Sequence, residues 1–178
     1  DEIPKIDKKI FLNKKNKIIV FKQKFFYYKF NLFYDLLPWF GTRACKFRNL
    51  RSPTWLRNSK YKKYPFWRLD TFFSNTKFIN LNIIDDGGWH FSNLKTLDKI
   101  IEKLNSSGHH DEYVRDIENI SIIRKMIEKK QVYYNHFADQ KETNKIRETG
   151  YDLKKIELNL LPKYIQDNKE KLSKFIEI

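Results

Sequence analysis

The residues best equipped for chemistry stand in one short run, Asp85-Asp86-Gly87-Gly88-Trp89-His90-Phe91-Ser92. Carboxylates can hold a cation or take a proton, and Asp86 is a candidate general base. Gly87 and Gly88 let a ligand approach the backbone closely. Trp89 can stack on a sugar ring, and His90 can bind a metal or hydrogen-bond a phosphate. A plainer reading stands beside this one: a tight turn, with Trp89 in the core and His90 capping the next helix. A second cluster is His109-His110-Asp111-Glu112-Tyr113. Glu112 could accept a proton from a substrate hydroxyl, with His110 beside it. The plainer alternative is a helix start, where acidic residues favour the dipole and Asp111 caps. The third is Asp1-Glu2. Hard cations such as Mg2+ or Mn2+ want such oxygens, although two acids at a chain end are commonly just a frayed terminus.

Something must position these groups. Residues 9–12 and 17–33 are rich in Ile, Val, Phe and Tyr and read as strands, with Asn13 and Asn16 as turn formers between them. Residues 38–68, punctuated by Pro38, Gly41, Pro53 and Pro65, read as irregular. Residues 77–84 alternate as a strand that the Asp-Asp-Gly-Gly run then breaks. Leu94, Leu97, Ile100, Ile101 and Leu104 predict a helix over 94–105, closed by Gly108. Ile117, Ile120, Ile123 and Ile127 mark a second helix. A last one begins near Pro162 and buries Ile165, Leu172, Phe175 and Ile176. The main acidic-glycine run therefore follows a strand and precedes a helix, the place where open α/β sheets gather ligands.

The 178 residues carry 36 Lys+Arg and 22 Asp+Glu, a net charge of +14. The excess is one-sided. Residues 1–80 hold 19 basic and 5 acidic residues, whereas 81–178 hold 17 of each. Such a field draws anions: nucleic acid, anionic lipid or a diphosphate. Arg43 and Arg68 are candidate contacts for one. In two places, residues 22–30 and 61–68, rings alternate with Lys or Arg. That pattern suits either single-stranded nucleic acid or an ordinary amphipathic strand with its lysines in water. Aromatics at 16% argue against a disordered chain. Cys45, alone, excludes an internal disulfide and a multi-cysteine zinc site. No apolar run approaches the ~20 residues of a membrane span.

The segment Gly87-Gly88-Trp89-His90-Phe91-Ser92 resembles the GGWHFS segment of glycosyltransferase family 17, the β-1,4-mannosyl-glycoprotein β-1,4-N-acetylglucosaminyltransferase family. His109-His110-Asp111-Glu112-Tyr113 is similar to an H-x-E segment of its bacterial relatives. Asp1-Glu2-Ile3-Pro4 looks like the end of an S-D-x-D-E-I-P motif. Weaker matches are Tyr27-Tyr28-Lys29-Phe30-Asn31, Trp39-Phe40-Gly41-Thr42 and Leu161-Pro162-Lys163-Tyr164-Ile165. The matches run in order through almost the whole chain.

The resemblance implies an α/β fold, a GT-A-like mixed sheet flanked by helices and incomplete at its N-terminal side. The nucleotide-binding half, about a hundred residues by the usual size of such a half, would precede Asp1, so residues 1–178 would be one partial domain. It also implies an inverting transfer of N-acetylglucosamine, or a related sugar, from a UDP-sugar donor to a glycan acceptor. Asp1 and His90 would bind Mn2+ or Mg2+. Glu112 would be the base with Asp86 second, and Trp89, Gly87, Gly88, His110, Arg43 and Arg68 would line the substrates. A reading of another class stands beside it: a basic non-catalytic protein for nucleic acid or anionic membrane, or an inactive remnant. No nucleic-acid signature is present, so no such partner is expected, and peripheral membrane contact stays open.

Overall fold

A computed structural model describes residues 18–79, 81–106, 117–137 and 146–178. The fold is mixed α/β. In chain order the strands are β1 (Ile18–Phe21), β2 (Gln23–Tyr27), β3 (Leu32–Trp39), β4 (Arg43–Cys45), β5 (Leu81–Ile84), β6 (Trp89–Ser92), β7 (Gln131–Tyr134), β8 (Ile146–Asp152) and β9 (Lys154–Lys155). The helices are α1 (Pro53–Asn58), α2 (Asp70–Phe73), α3 (Leu97–Asn105), α4 (Ile117–Glu128) and α5 (Lys163–Asp167). The chain divides into two compact units. One joins the described residues up to Lys24 with Pro38–His90; the other joins Phe25–Leu37 with Phe91–Ile178.

The first unit is built on a three-stranded sheet in the order β4-β1-β5. β1 runs antiparallel to β4 and parallel to β5, with Ile18 opposite Leu81 and Phe21 opposite Ile84. All four β1 residues are buried, as a central strand covered on both faces requires. Ile18, Val20 and Leu81 form the core, and Phe40, Trp55, Leu56, Phe78 and Ile83 close over it.

In the second unit β3 pairs antiparallel with β9, Leu32 opposite Lys155, and β7 pairs antiparallel with β8. α3 turns Ile100, Ile101 and Leu104 inward, and α4 turns Ile123 and Met126 inward. These are the apolar stripes that the 3.6-residue period demands.

Several expectations are corrected. The apolar run 17–33 is not one strand. It breaks at Lys22 and again at 28–31, where Tyr28 has φ 63°. Asn31 holds this second turn through both side-chain atoms: Nδ2 donates to Glu177 O at 2.8 Å, and Oδ1 accepts from Glu177 N at 2.7 Å. The stretch 38–68 contains the end of β3, β4 and α1 rather than irregular chain alone. The strand expected over 77–84 begins at Leu81, and the helix expected from 94 begins at Leu97. The last helix ends at Asp167, because Asn168 bonds back to the Tyr164 carbonyl through its side chain at 2.9 Å and its amide at 3.1 Å. Leu172 and Phe175 then belong to a separate segment with a 3-10 turn at Ser173–Phe175. The helix over 117–128 stands as expected. The strand expected over 9–12 and the Gly108 cap lie outside the described residues.

Candidate functional site

The parallel pair β1 and β5 end together, at Phe21 and Ile84. The acidic-glycine run follows directly, so in the first unit it sits at the carboxyl ends of parallel strands, where α/β sheets collect ligands. The turn is stitched to the chain leaving β1. Lys22 N donates to Ile84 O at 3.0 Å, Gly87 N to Lys22 O at 2.7 Å, and Lys24 N to Gly88 O at 2.9 Å. Asp86 adopts φ 53° to make the bend. Gly87 is required by close approach. A Cβ there would lie 2.8 Å from Phe21 Cβ and 2.9 Å from Phe21 Cα.

Both carboxylates meet lysines, one from the break between β1 and β2 and one from β2. Lys22 Nζ lies 3.0 Å from Asp85 Oδ1, and Lys24 Nζ lies 2.8 Å from Asp86 Oδ1. The sequence marks these lysines only as part of a basic-aromatic segment and does not show them as partners of the acidic-glycine run. The signal was present in part, since residues 22 and 24 share one face of an extended chain. Their partners, however, are more than sixty positions away. The result is a mixed cluster of two ammonium groups and two carboxylates on an exposed rim. It can balance an anion and can also take up a proton.

His90 lies flat on the Trp39 indole, ring centroids 4.3 Å apart and planes 11° from parallel. Burial pushes its pKa below the ordinary histidine value, which leaves the ring neutral near pH 7 and able to act as a ligand or acceptor. Trp39 is itself braced, because a Cβ at Gly41 would collide with the indole. The same loop joins the sheet, with Phe21 N donating to Thr42 O at 3.1 Å and Thr42 Oγ1 to Gln23 Oε1 at 2.9 Å. Trp89 is half-buried rather than a core residue, while Gly87 and Gly88 are buried.

Of the other candidates, Arg43 donates from Nη1 to the Arg57 carbonyl in the last turn of α1, and burial lowers its pKa. Its Nε is buried with no hydrogen-bond partner among the described residues. Arg68 is held locally, with Nε 2.7 Å from Asp70 Oδ1 and its guanidinium 5.2 Å from the Tyr64 ring. Lys77 and Arg68, both bonded to Asp70, hold that carboxyl below its usual range. Asp1, His110 and Glu112 lie outside the described residues. Among the described residues, no three His, Cys, Asp or Glu gather closely enough to hold a metal ion.

In the second unit, Tyr27 Oη and His136 Nε2 share a hydrogen bond of 2.6 Å. Phe25 and Tyr134 set their rings edge-on to the imidazole at 5.4 and 4.8 Å. His136 lacks a motif around it, and nothing in its local sequence singles it out. No family model, curated protein or solved structure matches this chain.

Proposed function

We propose that this chain is the acceptor-side part, with the metal edge, of a GT-A-like glycosyltransferase. The reaction would be inverting transfer of N-acetylglucosamine, or a related sugar, from a UDP-sugar to a glycan acceptor. One observation carries the reading. Two segments that resemble glycosyltransferase family 17 separately, Trp39-Phe40-Gly41-Thr42 and Gly87-Gly88-Trp89-His90-Phe91-Ser92, meet ring on ring through Trp39 and His90. The second segment follows the carboxyl end of β5, one of a parallel strand pair.

In such a transfer the acceptor hydroxyl oxygen attacks the anomeric carbon from the face opposite the diphosphate. Its proton passes to a carboxylate as the bond from sugar to phosphate breaks and UDP leaves with the electron pair. Glu112 is the proposed base and Asp86 the second candidate. Lys22 and Lys24 stand beside Asp85 and Asp86, where their charge opposes that of a leaving diphosphate. Trp89 offers its ring to the sugar. Mn2+ or Mg2+, where bound, neutralises diphosphate charge. The described residues offer it the neutral imidazole of His90, and Asp1 would complete the ligand set.

Isothermal titration with a mannose-containing N-glycan oligosaccharide as acceptor tests the reading. The chain is expected to release heat on binding the acceptor, and Trp89→Ala to lose that heat while keeping its melting temperature within a few degrees. Absence of heat with the unaltered chain overturns the proposal.

A further inference from the structure

The two segments in which rings alternate with basic residues have opposite fates. In residues 22–30 the rings go inside: Phe25, Phe26, Tyr27 and Tyr28 are all buried. There β2 and the turn after it are covered on both faces, and burial accounts for the rings. In residues 61–68 it does not, because neither that segment nor the stretch after it to Phe73 forms a strand. Its backbone winds through tight turns, with Arg68 N donating to Pro65 O at 3.2 Å and Phe72 N to Leu69 O at 3.1 Å. Phe66, Trp67, Leu69, Phe72 and Phe73 are left 65 to 90% exposed.

The short helix α2 is inside out. It buries Thr71, whose hydroxyl donates to Arg68 O at 2.7 Å, and presents Phe72 and Phe73 to solvent. Water gives no reason for that choice, and five large apolar side chains exposed within residues 66–73 mark a contact with something else. Exposed lysines flank it at Lys60, Lys62 and Lys63. The acidic residue of the segment, Asp70, is matched by both Arg68 and Lys77.

We propose that this face docks in the plane of an anionic lipid bilayer, with Phe66, Trp67, Leu69, Phe72 and Phe73 in the headgroup–acyl boundary. Lys60, Lys62 and Lys63 meet the lipid phosphates. Trp, Phe and Leu beside lysines form the side-chain set that binds such an interface. Single-stranded nucleic acid fits less well, because its bases need open, successive ring faces. Phe66 and Trp67 stand at 81° to each other. Tyr61 is stacked on Phe40 at 4.5 Å, and Tyr64 is covered by Arg68. Among the described residues no helix is long and apolar enough to cross a membrane, so the contact lies in the interface. The inference is independent of sugar transfer.

Vesicle sedimentation and fluorescence test it on the full chain. Binding is expected to phosphatidylcholine vesicles containing phosphatidylserine and to be much weaker on phosphatidylcholine alone. Brominated acyl chains should quench Trp67, and Trp67→Phe should remove that quenching while binding persists. The pair Phe72→Ser and Phe73→Ser, and separately Lys62→Glu with Lys63→Glu, should each weaken binding by about tenfold or more. Those side chains are exposed, so the folded state survives their loss. No vesicle binding, or binding indifferent to Phe72 and Phe73, overturns the proposal. So does oligothymidylate binding that needs those rings, or self-association in sedimentation that their removal abolishes.

Discussion

At Gly87, chemistry and packing compete for the same space. The amide donates to Lys22 O at 2.7 Å, and this bond requires the chain to pass within touching distance of Phe21. The obstacle to a Cβ is partly backbone, the Phe21 Cα at 2.9 Å, so no rotamer change relieves it. Gly87→Ala is therefore expected to cost about 1–3 kcal/mol, the usual range for overpacking, and to lower the melting temperature by several degrees. A thermal melt indistinguishable from that of the unaltered chain would show that β1 and the turn are not so closely apposed. Residue types alone identified this turn correctly as the break after a strand. They left open whether Trp89 lies in the core and what His90 touches, and the second outcome depends on Trp39. A stacking partner some fifty residues earlier leaves no local trace.

Elements were legible in proportion to how far their stability is local. α3 and α4 carry an apolar stripe at helical spacing and were foreseen, with α3 three residues shorter than expected. The unbroken apolar run 17–33 concealed two breaks, because the turn at 28–31 is held by Glu177 near the other end of the sequence. α1 was overlooked among prolines, yet its start is a local device. Ser52 Oγ accepts from Trp55 N at 3.0 Å, and Pro53 occupies the first turn, where its missing N–H costs nothing. With six residues the helix has little else to begin it. Trp55, which it carries, packs on the Ile18–Val20–Leu81 core and donates from Nε1 to Asn75 O at 2.8 Å. Removing the cap with Ser52→Ala should cost about 1 kcal/mol, and Ser52→Asp should restore most of it. A denaturant midpoint that falls for both variants alike would assign Ser52 a packing role instead.

For the whole molecule, composition identified the sign of the field but not where the rings go. The same mixture of Lys and aromatics builds the largely buried β2 and the exposed apolar residues of 66–73. What separates them is pairing: β2 finds sheet neighbours, whereas Pro65 and the turns after it leave 61–69 without a ladder. The charge itself has a consequence for stability. A net +14 in 178 residues is uncompensated repulsion that the folded state concentrates. Against it stand ion pairs that are mostly exposed, such as Lys99–Glu102 and Lys22–Asp85, and exposed pairs of this kind add little to stability. Salt weakens both, shrinking the screening length from roughly 30 Å at 0.01 M to about 3 Å at 1 M. The excess is long-ranged and spread over many residues, whereas the pairs are short-ranged and survive moderate screening better. Sodium chloride is therefore expected to raise the melting temperature, most steeply at the low-salt end. Chloride is preferred to sulfate, which would stabilise through exclusion from apolar surface rather than through charge. A melting temperature that falls on adding chloride would mean that the lysine–carboxylate pairs around Asp85, Asp86 and Asp70 outweigh the repulsion.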